Sequence, residues 1–117
     1  MGEGYADGAS PGARVYVSSD GATFDLKHTE ASTGAESLMA AAMLSATEHW
    51  AGGTTEAGAL DAKLLALHST DAGSTYDNEG TGLTGQTITA MDFTSPSKGF
   101  ATSLSALQVC NLLQFDA

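Results

Sequence analysis

The stretch Ser69-Thr70-Asp71-Ala72-Gly73-Ser74-Thr75-Tyr76 constrains this chain more than any other. A short carboxylate, a glycine two residues on and hydroxyl residues on either side make up the chemistry of a tight hairpin. The Asp71 carboxylate can accept backbone N–H groups across the turn, Gly73 supplies a positive φ, and Ser69 and Thr75 bond locally. Thr75 and Tyr76 then open a return strand, because β-branched and aromatic side chains fit a pleated surface. Charged residues make up 15% of the chain and glycines number 14, with abundant Ala, Ser and Thr. That composition favours turn-rich β structure over a helical bundle.

The pattern occurs twice. Ser18-Ser19-Asp20-Gly21-Ala22-Thr23-Phe24 repeats it with one residue fewer before the glycine. Asp20 and Asp71 lie 51 residues apart, a spacing typical of repeat arrays. A second correspondence runs at 50 residues, from Leu38–Ser45 and His49-Trp50-Ala51 to Ile88–Ser95 and Gly99-Phe100-Ala101. In it Trp50 sits opposite Phe100. A third copy begins at the C-terminus, where Val109–Ala117 follows Leu64–Ala72 and sets Asp116 in the place of Asp71.

Residues 36–50 can be read two ways. Thr33-Gly34-Ala35-Glu36 is a capping-box pattern before an Ala/Met/Leu run, which favours a helix over 36–50. The aligned stretch 87–94 is rich in β-formers, and an all-apolar run also suits an inner strand covered on both faces. We read it as a strand and keep the helix as the alternative. Residues 1–13 form a flexible or edge-capping lead-in. Strands are then expected at about 14–18 and 23–27, at 37–44, 50–54, 63–69 and 75–78, and at 87–94, 99–104 and 107–115.

The two turn sequences resemble the Asp-box, or BNR repeat, of sialidase-like β-propellers. The stretch Ile88-Thr89-Ala90-Met91-Asp92-Phe93, a short turn and Gly99-Phe100-Ala101 is similar to the inner-strand pattern of propellers related to photosystem II assembly factors. The resemblance covers residues 14–116 and implies an all-β fold of about two to two and a half four-stranded blades over 14–117. It also implies a structural role for the turn residues Ser18, Asp20, Gly21, Thr23, Phe24, Ser69, Asp71, Gly73, Thr75 and Tyr76. Fewer than three blades cannot close a ring, so open strand edges and apolar flanks call for protein neighbours to cover them.

Residue chemistry narrows the function. A formal charge of −10 disfavours nucleic acid and anionic membranes as partners. No apolar run reaches the roughly 18 residues of a membrane span, and Met1–Tyr5 lacks the features of a secretory leader. Cys110 is alone, excludes an internal disulfide, and is expected to be a buried, inert thiol beside Val109 and Leu112-Leu113. The resemblance implies a sialidase site with three arginines, which a chain holding Arg14 alone cannot build. No catalytic motif stands out, and His28, His49 and His68 are read as strand or surface residues. Asp71, Asp77, Asn78 and Glu79 could surround calcium, although Asp71 is committed to its own turn. Trp50 could stack on a sugar but is read as core. We therefore expect no catalysis, cofactor or metal.

The expected role is a structural or assembly subunit, or a fragment of one, acting through protein–protein contacts in a photosynthetic or other complex. The alternatives are a carbohydrate-binding or glycosidase-like fragment whose site lies in missing blades, and a small free-standing secreted domain. For location, the resemblance leans to a thylakoid lumen or an extracytoplasmic space.

Overall fold

A computed structural model describes residues 2–3, 12–30, 36–55, 64–80, 84–95, 97–105 and 110–116. These residues form strands and, among them, no helix: β1 (Gly2–Glu3), β2 (Ala13–Val17), β3 (Asp25–Glu30), β4 (Ser37–Met43), β5 (His49–Thr54), β6 (Leu64–Ser69), β7 (Asp77–Asn78), β8 (Gln86–Ser95), β9 (Lys98–Ser105) and β10 (Cys110–Asp116). No helix among them is long and apolar enough to cross a membrane. Every pairing is antiparallel. The strands make three consecutive meanders, a first sheet β1-β2-β3, a middle sheet β4-β5-β6-β7 and a third sheet β8-β9-β10.

Successive side chains of a strand point to opposite faces, so the middle sheet serves two cores. Leu38, Ala51, Leu65 and Leu67 pack with Ala13 and Val15 of the first sheet. Trp50, Leu64 and Ala66 pack on the other face with Ile88 and Ala101 of the third. All of β5 is buried as a result. Burial of each large aliphatic side chain contributes about 1.5–3 kcal/mol. Close approach at this second interface depends on Gly52, where an added Cβ would lie 2.6 Å from Ile88 Cγ2.

The 50-residue correspondence is visible in the pairing. β4 bulges between Leu38 and Ala40, opposite Gly53 and Gly52, and β8 bulges between Ile88 and Ala90, opposite Ser103 and Thr102. Trp50 pairs with Ala42 as Phe100 pairs with Asp92. A bulge adds an unpaired residue and resets which side chains face inward. Its recurrence at one place gives β4-β5 and β8-β9 the same pairing pattern there.

Several expectations change. The helix alternative over 36–50 is ruled out, since β4 ends at Met43, a turn follows and β5 starts at His49. Beyond the bulge, Ala40 and Ala42 are half-buried while Ala41 and Met43 are exposed, a strand alternation that three consecutive alanines conceal. The ladder of β7 begins at Asp77 and not at Thr75, because the Thr75 N–H and hydroxyl are held by Asp71. Likewise β3 starts at Asp25, after Phe24. Within 1–13, Gly2–Glu3 form an edge strand on Arg14 and Ala13, while 4–11 lie outside the described residues.

The expected third copy is displaced by one residue. Leu113 lies opposite Ala101 and Phe115 opposite Gly99, as Leu67 lies opposite Ala51 and Ser69 opposite His49. Asp116 thus holds the place of Thr70, not that of Asp71. Cys110 is exposed rather than buried, because it starts an edge strand whose outer face no other described strand covers.

Candidate functional site

The two aspartate turns come first, since sequence singles out their residues. In the longer one, Asp71 Oδ1 accepts the Thr75 N–H at 2.9 Å and the Ser69 hydroxyl at 2.9 Å, and Asp71 Oδ2 accepts the Thr75 hydroxyl at 2.7 Å. Ser69 Oγ in turn accepts the Gly73 N–H at 2.9 Å. The Ser74 N–H donates to Asp71 C=O, and Ala72 and Gly73 have φ of 60° and 86°. Two positive φ values at the centre of a hairpin are the signature of a type I′ turn.

The shorter turn keeps the serine, threonine N–H and glycine N–H bonds. Asp20 Oδ1 accepts the Thr23 N–H at 2.8 Å, the Ala22 N–H at 2.8 Å and the Ser18 hydroxyl at 3.1 Å. Ser18 Oγ accepts the Gly21 N–H at 2.8 Å, and Gly21 alone has a positive φ here, 74°. The residue missing from this copy is the counterpart of Ala72.

Hydrogen bonds to the ionised form hold both carboxyls down. Asp71 falls to about 2, through the Thr75 backbone N–H first and then the Thr75 hydroxyl. Asp20 also falls to about 2, through the backbone N–H groups of Thr23 and then Ala22. A carboxylate locked in its charged form by its own turn is a poor general acid or base at neutral pH.

The longer turn is also tied to its surroundings. The Ala72 N–H donates to Thr47 C=O at 3.0 Å, which joins it to the β4–β5 turn. Tyr76, which follows it, meets the buried His49, with Oη 3.3 Å from Nδ1. His49 Nε2 lies 3.2 Å from Ala46 C=O. A carbonyl only accepts, so Nε2 carries the proton and the Tyr76 hydroxyl donates to Nδ1. Burial first, then the Asp71 charge, raises the Tyr76 pKa. The His28 ring of β3 stands 5.2 Å from the same tyrosine.

The three histidines do not converge on one point. His28 Nε2 meets Glu30 at 3.1 Å. His68 Nε2 meets Glu48 at 3.1 Å and its Nδ1 approaches Glu79 at 3.7 Å, while its ring stacks on Trp50 at 4.0 Å. Trp50 is core, 5% exposed, with Phe93 at 5.2 Å on another side.

Two of the four residues weighed for calcium are already engaged. Asp71 serves its turn, and Asn78 Oδ1 accepts the Ala66 and Gly80 N–H groups. Among the described residues no group of three or more His, Cys, Asp or Glu is placed to hold a metal ion. An apolar cleft of about 270 Å³ lies between the first and middle sheets, lined in part by Val15, Val17, Phe24, Met43, His49 and Tyr76. His49 and Tyr76, both at this cleft, bond to each other. Sequence reading missed their contact because it spans 27 residues of chain.

The structure therefore gives two aspartate turns, the longer of which meets His49 and His28 through Tyr76. Comparison with family models, with curated proteins and with solved structures found no match.

Proposed function

We propose that this chain is a non-catalytic structural or assembly subunit, built as a partial β-propeller of Asp-box repeats, that acts through protein–protein contacts. Support comes from three successive meanders stacked face to face, two hairpins carrying the same aspartate turn, and first strands that bulge at equivalent positions.

One observation carries the reading. By pairing register, Phe100 and Leu112 hold the places of Trp50 and Ala66. Trp50 is 5% exposed and Ala66 is fully buried, whereas Phe100 is 41% and Leu112 70% exposed. The third sheet presents to solvent the face that the middle sheet buries. Apolar sheet surface of this kind marks an interaction site or an aggregation liability. No observation favours a carbohydrate site, because Trp50 is closed into the core and the chain has one arginine.

The test compares the wild-type chain with Phe100→Asp/Leu112→Asp by mass in solution and by binding of an apolar dye. Wild type should bind dye or run above the 11.8 kDa of one chain. The variant should do neither while keeping its cooperative melt. A wild-type chain that is monomeric, binds no dye and matches the variant would refute the proposal.

A further inference from the structure

We infer that the outer face of the third sheet docks the first sheet of a second copy of this chain, head to tail. This rests on the reading of the chain as an open stack of repeated sheets.

The internal contacts all run in one direction. Counting back from the aligned Ser18 and Ser69, Val15 and Ala13 hold the places of Ala66 and Leu64. Val15 and Ala13 face the middle sheet, just as Ala66 and Leu64 face the third. Each sheet thus offers its trailing face to the leading face of the next. Among the described residues two faces are left over, the leading face of the first sheet and the trailing face of the third. A second copy carries a face for each, its first sheet meeting the contact without a counterpart of β4 and β8, the strands through which the later sheets lead.

The residues on those faces suit one another. On the third sheet, Ala90, Thr102 and Leu112 form one cross-strand row and Asp92, Phe100 and Gln114 the next. On the first sheet, Arg14 pairs with Thr29, and Tyr16 with Leu26, which is 51% exposed. Phe100 and Leu112 meet Tyr16 and Leu26 in character, and the charged members of the two sets, Asp92 and Arg14, are opposite in sign. Two copies joined trailing face to trailing face would bring Asp92 of both to the contact and leave Arg14 outside it.

The net charge of −10 does not fall on this face. From Gly80 to Asp116 the sequence holds two acids, Asp92 and Asp116, and one base, Lys98, against 14 acids and 4 bases in the whole chain. A head-to-tail contact is heterologous, and it closes when the rotation per copy fits. Two copies stack six sheets, within the four to eight that rings of such sheets use.

The experiment measures the solution mass of the 117-residue chain as wild type, Leu26→Asp, Phe100→Asp and an equal mixture of the two variants. Wild type should weigh twice 11.8 kDa and each variant alone 11.8 kDa. The mixture should regain dimer through the one contact in which both faces are unaltered, the other contact carrying both substitutions. A Leu26→Asp chain that stays dimeric, or a mixture that stays monomeric, overturns the head-to-tail contact. A monomeric wild type that binds an apolar dye overturns the second copy as occupant and leaves the subunit reading standing. A monomeric wild type without dye binding removes both. Should Phe100→Asp lose its cooperative melt, Leu112→Asp takes its place with the same expected masses.

Discussion

Ser69 stands at the buried end of its turn, and its hydroxyl both donates to Asp71 and accepts from the buried Gly73 N–H. Removing that oxygen leaves a buried donor without a partner, which costs about 1–3 kcal/mol. Ser69→Ala should therefore lower unfolding stability by about that amount in urea melts. Ser18→Ala should cost less, because Gly21 is exposed and water can replace the hydroxyl. Equal losses at the two sites would contradict this account. The carboxylates give a separate expectation in pH. Asp20 and Asp71 sit at about 2 in the fold against an ordinary value of 3.8. A depressed carboxyl contributes stability that is full above its unfolded pKa and is lost as pH falls through the folded one. Melting temperature should thus drop between about pH 4 and pH 2, and the slope should flatten in Asp20→Asn/Asp71→Asn. The turn donors and acceptors were legible because Ser, Asp, Gly and Thr carry that chemistry locally. The positive φ of Ala72 was not, since nothing about alanine marks a left-handed residue.

Between elements, the third sheet is held to the middle one where Ile88 of β8 lies over Gly52 of β5. Ile88→Ala should cost about 2–5 kcal/mol through the cavity it leaves. Gly52→Ala should cost about 1–3 kcal/mol by overpacking against the same side chain. The two changes relieve each other, so the double variant should lose clearly less than the sum, a coupling that a double-mutant cycle measures. Strict additivity would mean that the two residues are not in contact. Strand positions were largely readable from turn signals and the 50-residue correspondence. The run 36–50 was ambiguous because Ala40, Ala41 and Ala42 are equally apolar on both faces, so burial alternates where composition does not. The exposure of Cys110 was hidden for another reason. Nearby Leu112 is apolar yet 70% exposed, and that exposure depends on a covering sheet, which no local sequence reports.

At the scale of the molecule, the three sheets share cover unequally, and stability should follow. The middle sheet has a neighbour on each face, whereas the first and third have one apiece. In a stack where each unit contacts only its neighbours, terminal units lack one interface term and open first. Amide exchange should accordingly be slowest in Trp50–Thr54 and Leu64–Ser69, and faster in β3 and β10 at the edges. Hydrogen-exchange mass spectrometry at two protein concentrations checks both this gradient and its cause. If the outer face of the third sheet is covered by association, protection of β9 and β10 should rise with concentration while that of β5 stays level. Uniform protection across the three sheets would show that they unfold as one unit, and the exposed Phe100 and Leu112 would then mark no weakness in the stack.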